Sequence, residues 1–187
     1  MDSKTRCAWC EKDDLYRDYH DNEWGIPVYD DQKIFEFLIL ETFQAGLSWY
    51  TVLAKRENFR NAFDNFDYNK VANYTDSKIE SLKQDAGIIR NGLKIKAAVT
   101  NAIAFIQVQK EFNTFSNYIW GFVNHQPQDN KPKTTKEVPA TSEISDALSK
   151  DLKKRGFKFV GSTVVYAHMQ ATGMVNDHVE DCWTREK

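Results

Sequence analysis

Two segments at opposite ends of the chain carry thiol and imidazole side chains that together suit a metal ion. The first segment holds Cys7, Cys10 and His20, and the second holds His178 and Cys182. His178 and Cys182 are four residues apart, so on a helical turn both side chains point to one side and can share a tetrahedral ion. Near the N-terminus, Cys7 and Cys10 compete for the thiolate position, and spacing alone does not choose between them. The alternative is that all of these are ordinary thiols and histidines.

An ion held by two cysteines and two histidines would be structural. Four protein ligands leave no open position for a reactive water, whereas a hydrolytic zinc keeps one position open. The three cysteines are also an odd number without a secretory signal, which argues against a disulfide framework. We therefore expect zinc, if bound, to join the two termini and to contribute folding energy.

A carboxylate on an apolar helical face is the second group that could do chemistry. A helix is predicted from Asp30 to Gly46, and its interior face carries Ile34, Leu38, Glu41 and Ala45. A buried carboxylate needs partners or a ligand, because removing the ion from water is costly. Glu41 therefore either caps the next helix or pairs with an arginine, or it binds a ligand.

A basic helix, a glycine-bounded turn and an apolar helix follow one another in LKKRGFKFVGSTVVYAHMQATG. Gly161 directly precedes the second helix, where backbone N–H groups and the helix N-terminus can approach an anion. Lys154, Arg155 and Lys158 would add positive charge without reading bases. We predict a DNA phosphate site at Gly161, Lys158 and Ser162. The alternative is an antiparallel helix pair with a solvated charged face.

Helices must position these groups, because no segment alternates with the period of a strand. The predicted helices run over 30–46, from Ser48 to about Phe63, over one or two short stretches in 67–85, from Leu93 to Lys110, over 112–123, from Thr141 or Ser142 to near Gly156, and over 162–173. Residues 7–29 are predicted to be short helices or irregular structure. Asn124 to Ala140 contains three of the four prolines and is predicted as an extended surface loop or as the crossing between two halves. The fold class is therefore all-α.

Length, charge and hydropathy limit the class of protein. The 187 residues, 41% of them hydrophobic, suit one unit over 1–187, with the hairpin at about 146–173 and the termini 1–29 and 174–187 brought together. The net charge of −2 excludes a protein that coats nucleic acid by charge alone, but it allows a local basic surface. No apolar run approaches the roughly 20 residues of a membrane span, so we expect a cytoplasmic protein.

Five segments in the same order make the chain resemble the bacterial type I 3-methyladenine DNA glycosylases. They are YHDNEWGIPVYD (19–30), ETFQAGLSWYTVLAKRENFR (41–60), DAGIIRNGLKIKAAVTNA (85–102), FVNHQPQ (122–128) and SDALSKDLKKRGFKFVGSTVVYAHMQATGMVNDHV (145–179). The resemblance implies a helix-hairpin-helix glycosylase fold with a structural zinc that joins the N- and C-terminal segments. It implies the ligands Cys7, His20, His178 and Cys182, and so favours Cys7 over Cys10.

The resemblance also implies a pocket for a damaged base. Glu41 would bind the base and serve as the catalytic residue, Trp49 would stack on it, and Tyr16 and Tyr19 would line the pocket. Such an enzyme must first extrude the base from the DNA stack. Trp9 and Trp24 are either further walls of the pocket or core residues.

Two departures from the wider helix-hairpin-helix superfamily bear on mechanism. Members that cleave the DNA strand carry a lysine after the second hairpin glycine, where this chain has Ser162 and Thr163. Lyase chemistry is therefore not expected. Many members carry an aspartate after the second hairpin helix, where this chain has Asn176, although a shift of one residue would place Asp177 there.

The resulting expectation is a monomeric enzyme that hydrolyses the N-glycosidic bond of 3-methyladenine in double-stranded DNA and releases the free base. One alternative is a glycosylase of broader alkylpurine or oxidised-base range. Another is a zinc-stabilised helix-hairpin-helix module that binds DNA without catalysis.

Overall fold

A computed structural model describes residues 4–185, in which nearly all regular structure is helical. The α-helices are α1 (Asp14–Asn22), α2 (Asp31–Gln44), α3 (Trp49–Leu53), α4 (Arg56–Ala62), α5 (Tyr68–Val71), α6 (Asp76–Gln84), α7 (Gly92–Phe112), α8 (Phe115–Gly121), α9 (Glu143–Lys154) and α10 (Ser162–Ala171). Short 3₁₀ turns cover Ala8–Cys10, Asp64–Phe66 and Thr135–Glu137. The prediction of a mostly helical fold is confirmed.

Two strands, β1 (Gln128–Asp129) and β2 (Val175–Asn176), form a short parallel pair. Each strand has two residues, which is too short for an alternating pattern to appear in the sequence. Their pairing joins the proline-rich segment after α8 to the segment after α10. The proline-rich segment was predicted as an extended surface loop or a crossing between two halves, and the β1–β2 pairing anchors one part of it.

Side-chain caps begin the helices that position the site. Asp30 and Ser48 accept hydrogen bonds from first-turn N–H groups of α2 and α3, as predicted. Ser142, rather than Thr141, begins α9 and forms a capping box. Asp31 has a different role, because its carboxylate accepts from two first-turn N–H groups of α8, each at 2.8 Å.

Helix α2 lies at the centre of the fold, packed against α3, α7, α8 and α10. Every residue from Ile34 to Phe43 is buried. Ile34, Leu38 and Glu41 are thus buried as predicted, but neighbours cover the other sides of α2 as well. The helix also ends at Gln44, so Ala45 does not belong to its face. Glu41 is buried by its position in the molecule rather than by one face of its helix.

The single helix predicted from Ser48 to about Phe63 is wrong, because the structure breaks it between Leu53 and Arg56. The break accompanies an inward turn of Arg56. Its guanidinium donates to Glu36 at 2.6 Å and to both carboxylate oxygens of Glu23 at 2.7 Å. A buried guanidinium requires such partners, and they connect α4 to α2 and to the end of α1.

Within residues 4–185, no helix combines the length and the apolar character that crossing a bilayer requires. The longest described helix, α7, has 21 residues but includes Lys94, Lys96 and Lys110. Its buried residues instead face the protein core, where Phe105 stacks on Phe115 with ring centroids 4.0 Å apart.

Candidate active site and metal cluster

A cavity of about 200 Å³ lies between α1, α2, α3, α10 and the segment around Thr135. The four residues predicted to hold a base, Tyr16, Tyr19, Glu41 and Trp49, all line it. The remaining lining residues are Cys7, Trp9, Trp24, Gln44, Thr135, Val138, Ala167, Gln170, Asp177 and Val179. The volume is below the roughly 300–1,000 Å³ of drug-sized pockets, so the cavity suits one small molecule such as a single base.

Glu41 is the buried acid of this cavity. Its side chain is 3% exposed, and its Oε2 atom has no hydrogen-bond partner among the described residues. The alternative roles fail on geometry, because Ser48 caps α3 and Arg56 pairs with other carboxylates. Burial raises the pKa of Glu41 to about 8. A cationic ligand would favour the ionised form and lower that pKa.

Trp49 supplies a second unpartnered polar atom in the same lining. Its indole Nε1 is buried without an acceptor among residues 4–185. Trp49 and Glu41 thus leave one donor and one acceptor unsatisfied. Because buried polar groups are rarely left without partners, this pair points to a ligand that carries both an acceptor and a donor.

Aromatic side chains form the walls. Tyr16 and Tyr19 are three residues apart, so they share one face of α1. The ring centroid of Tyr19 lies 5.3 Å from that of Trp49, and the ring centroid of Trp9 lies 4.9 Å from that of Tyr16. Burial raises the pKa of both tyrosines, which therefore stay neutral. A flat ring could be held between these surfaces.

Asp177, rather than Asn176, lies at the cavity. The Asp177 carboxylate is buried and accepts from the Tyr166 hydroxyl at 2.7 Å, from the Gln170 amide at 2.8 Å and from the Asn130 amide at 2.7 Å. Asn176 instead bonds to His178. The shift of one residue considered for the superfamily aspartate therefore agrees with the geometry, although this carboxylate is already held by three donors.

A second cavity of about 190 Å³ adjoins the first, and both are lined by Glu41 and Gln44. Its other walls include Leu47 from the α2–α3 connection and Thr163 from the first turn of α10. Leu47 is 43% exposed, which is high for a large apolar residue. The acid thus lies between an aromatic cavity and an opening next to the start of α10.

The three residues predicted to contact phosphate lie where α9 connects to α10, with Lys158 and Gly161 in the turn and Ser162 first in α10. Gly161 precedes α10, and no side chain caps that helix. The Asn101 side chain fixes the turn, because it accepts from the Lys158 N–H at 2.7 Å and donates to the Lys158 carbonyl at 3.1 Å. Ser162 is less free than predicted, since its hydroxyl lies 2.8 Å from that of Ser145.

Arg155 differs from the lysines of the predicted basic surface. Its guanidinium bonds to Glu111 and Asp151, both at 2.6 Å, so much of its charge is neutralised. Lys154 and Lys158 are exposed. Any phosphate contact at this surface would therefore depend on the lysines more than on Arg155.

The predicted metal ligands come together from both ends of the chain. The ligand atoms of Cys7, His20 and Cys182 all lie within 4.8 Å of one another, and the three residues are buried. His178 is not in that group, but its ring centroid is 5.1 Å from that of His20, and its Nε2 atom is buried without a partner. The Cys10 thiol donates to the Cys7 carbonyl at 3.1 Å.

Both histidines present the same ring nitrogen to this cluster. His20 donates from Nδ1 to the Asp21 carboxylate at 2.8 Å, and His178 donates from Nδ1 to the side-chain amide oxygen Oδ1 of Asn176 at 2.9 Å. Each Nε2 is left with a lone pair, the arrangement found in metal-binding histidines whose other ring nitrogen donates to a carboxylate or carbonyl oxygen. Gly25 makes room for the His178 ring, because a Cβ at that position would lie 2.6 Å from its Cε1 atom.

The thiols also suit a cation. A hydrogen bond from Cys7 lowers the pKa of Cys182, so one thiolate is favoured before any ion binds. Thiolate and imidazole are the ligands that zinc prefers. Three of the four predicted ligands therefore form a group that could bind a metal, and His178 lies beside it.

Several cavity residues carried no recognisable pattern in the sequence. Gln44 could have been found, because it lies three residues after Glu41 and so on a neighbouring part of α2. Thr135 and Val138 belong to the predicted loop, and Gln170 resembles any polar residue of an amphipathic helix. Tertiary packing alone brings these three to the cavity.

The family model for methyladenine glycosylases matches residues 9–186. The chain belongs to this family. It is 54% identical to DNA-3-methyladenine glycosylase 1 of Escherichia coli K12 over 95% of each chain. It is 50% identical to DNA-3-methyladenine glycosylase of Haemophilus influenzae, over 95% of this chain and 96% of that relative.

A solved member of the family has the same fold. The structure of 3-methyladenine DNA glycosylase I from Staphylococcus aureus, determined to explain 3-methyladenine recognition, matches with a TM-score of 0.95 and 35% identity. The match covers 100% of this chain and 99% of that one. The family resemblance predicted from the five segments is therefore confirmed.

Proposed function

We propose that this protein is a DNA repair enzyme that hydrolyses the N-glycosidic bond of 3-methyladenine in double-stranded DNA. The observation that carries the proposal is the aromatic cavity in which Glu41 and Trp49 each leave a polar atom without a partner among the described residues. Relatives in the same family are named for this reaction. We propose that it acts in the cytoplasm and as a monomer.

The cavity supports catalysis through binding of the leaving base. A purine methylated at N3 in DNA is cationic, so it is already a good leaving group. Stacking on Trp49 attracts the cationic ring, and its entry favours ionised Glu41. Water then adds to the sugar carbon as the N-glycosidic bond breaks, the bonding electrons leave with the base, which departs neutral, and the added water gives up one proton to solvent. Unmodified adenine would require the same extrusion without gaining the charge interaction.

The reaction stops at hydrolysis. Thr163 lines the second cavity beside Glu41, and neither it nor Ser162 has an amine that could form a Schiff base with the sugar. We therefore propose a monofunctional glycosylase, with Glu41 as its catalytic residue and Tyr16, Tyr19 and Trp49 as its base-binding residues.

The pair α9 and α10 is proposed to act as a helix-hairpin-helix anchor for DNA. Gly161 leaves the N-terminus of α10 open to an anion, Lys158 adds charge, and the Ser162 N–H belongs to the first turn. This anchor lies next to the second cavity, which is lined by α10 residues. When a DNA phosphate is held at the hairpin, a nearby extruded nucleotide could therefore enter the cavity that Glu41 lines.

The termini are proposed to be joined by a structural zinc. Cys7, His20, His178 and Cys182 would hold the ion, and the buried lone pair of His178 is the observation that adds this residue to the close group of three. Bound zinc would supply folding energy and no reaction step. Because cavity residues come from both ends of the chain, residues 1–187 would work as one unit.

A base-release assay on methylated double-stranded DNA, with mass identification of the product, tests the proposed function. We expect free 3-methyladenine and no strand cleavage. Equal release of 7-methylguanine would favour an enzyme of broader range, and no release of any base would contradict the proposal.

The non-catalytic alternative is tested by Glu41→Ala. If the protein is an enzyme, this variant loses base release while its DNA affinity and zinc content stay unchanged. If the wild-type protein binds DNA tightly but never releases a base, a zinc-stabilised DNA-binding module is the better description.

A further inference from the structure

One carboxylate outside the cavity lining connects two of the cavity walls. Asp13 accepts the N–H of Tyr16 at 3.0 Å with one oxygen, which caps α1. Its other oxygen accepts the hydroxyl of Tyr50, the residue directly after Trp49 on α3. Asp13 therefore joins the helix that carries Tyr16 to the helix that carries Trp49.

Ring contacts strengthen the same connection. The ring centroid of Tyr50 lies 5.4 Å from that of Tyr16, and the Lys12 ammonium lies 3.2 Å from the Tyr50 ring centroid. The Tyr50 hydrogen bond also lowers the pKa of Asp13, so the acceptor is a carboxylate at neutral pH. Hydrogen bonds to a charged acceptor are stronger than neutral ones.

Helix α3 needs such a connection more than the longer helices do. It has five residues, fewer than a helix needs to be stable without packing, and Trp49 and Tyr50 are only half-buried. The space between Tyr16 and Trp49 therefore depends on what holds α3 against α1.

We propose that Asp13 and Tyr50 are positioning residues that set the separation between the Tyr16 and Trp49 walls, and so the fit of a flat purine. This inference rests on the proposed function. Neither residue touches the base. Both act through the aromatic side chains that do.

Tyr50→Phe tests the connection, because it removes one hydroxyl and keeps the ring. The measurements are inhibition by free 3-methyladenine, KM and kcat on methylated DNA, and affinity for undamaged DNA. We expect inhibition by the base to weaken and KM to rise about three- to tenfold, with kcat changed less than about twofold and DNA affinity unchanged.

Tyr74→Phe is the matched control. Tyr74 also donates to a carboxylate, Asp64, at 2.5 Å, but it does not line the cavity. We expect this variant to lose similar stability and to keep wild-type inhibition by the base. Equal weakening of inhibition in both tyrosine variants would overturn the inference.

A double-mutant cycle separates positioning from a general loss of stability. Asp13→Ser keeps a good cap for α1 but cannot reach Tyr50 with a second oxygen. The double variant should then bind the base no more weakly than either single variant. Additive losses, or wild-type inhibition in Tyr50→Phe, would contradict the inference alone. Failure of the wild-type protein to bind 3-methyladenine would overturn both this inference and the proposed function.

Discussion

The two buried polar clusters of this protein differ in what their polar atoms face. Around Cys182, ligand atoms from both ends of the chain face one another within 4.8 Å, and the flanking histidines are oriented by Asp21 and Asn176. Around Glu41, unpartnered atoms line a cavity of about 200 Å³. The first arrangement suits an ion that closes it completely, and the second suits a molecule that enters and leaves.

The comparison shows how a structural site can be told from a functional one. Both clusters contain groups whose burial costs free energy, so each needs a compensating partner. In the metal cluster, the partner would be permanent and would stabilise the fold. In the cavity, the partner is proposed to be the substrate, so the cost remains in the free protein.

The largest effect is expected from opening the closed cluster. Cys182→Ser removes one thiolate, so we expect loss of stoichiometric zinc and a decrease in the free energy of unfolding of at least about 5 kcal/mol. Metal analysis and thermal unfolding measure this. Retained stoichiometric zinc would contradict the proposed ligand set, and Cys10→Ser serves as the control that should keep the metal.

Replacing the cavity acid should stabilise the protein at high pH. The folded pKa of Glu41 is about 8, above the ordinary value of 4.5, so the folded state holds a proton that the unfolded state has lost. Stability from this group therefore falls as the pH rises from about 4.5 to 8. Glu41→Gln removes that loss. Its free energy of unfolding should exceed that of the wild type by about 4 kcal/mol at pH 9 and should be nearly the same as that of the wild type at pH 4.

Denaturant unfolding of both proteins at pH 4 and pH 9 measures this difference. If the free energies of unfolding of the variant and the wild type differ equally at both pH values, burial does not raise the pKa of Glu41. Such a result would also remove the distinction drawn between the cavity and the closed cluster.

The same substitution should abolish most of the activity. Glu41→Gln keeps the shape but cannot carry the negative charge, so kcat/KM for 3-methyladenine release should fall about 100- to 1,000-fold. In the wild-type protein, kcat/KM should rise with pH towards about 8, because ionised Glu41 binds the cation. Kinetics from pH 6 to 9 test this, and an unchanged pH profile in the variant would assign the titration to another group.

A smaller effect is expected at His168, which belongs to neither cluster. Both of its ring nitrogens are buried without partners, and burial lowers its pKa to about 4 from 6.5. As the pH falls, the histidine of the unfolded state takes up a proton before that of the folded state. The contribution of His168 to the free energy of unfolding is therefore complete above about pH 6.5, and about 3 kcal/mol of it is lost towards pH 4. His168→Phe should remove this loss.

Unfolding of the wild-type protein and of His168→Phe at pH 7 and pH 4.5 measures the effect. The variant should gain more at the lower pH. An equal gain in the free energy of unfolding at both pH values would mean that the His168 ring does have a hydrogen-bond partner. Unpartnered polar atoms would then be confined to the two clusters.

The two clusters also differ in how far the sequence revealed them. His178 and Cys182 are one helical turn apart, so local spacing indicated a shared ligand before any fold was known. The choice of Cys7 over Cys10 needed family resemblance. For the cavity, Glu41 stood out as an acid on an apolar helical face, and it is buried as expected, although α2 is covered on all sides rather than on one face.

Local physics made the helices predictable. Caps such as Asp30 and Ser48 act within one turn, and the spacing of apolar residues follows from the helical period, so both are visible in the chain. The break before Arg56 was missed, because the carboxylates that Arg56 contacts there, Glu36 and Glu23, are distant in the sequence. The β1–β2 pair was missed because two residues are too few to show a pattern.

By itself, the sequence determined the helical class, several helix starts, the candidate ligands and the family. Only the tertiary structure placed Asp177 at the cavity and Asn176 at His178, left Glu41 and Trp49 without partners, and joined Asp13 to Tyr50. The physical reason is one of range. Propensity, capping and periodicity act between neighbours along the chain, whereas a cavity and its unpaired atoms depend on side chains that only the folded chain brings together.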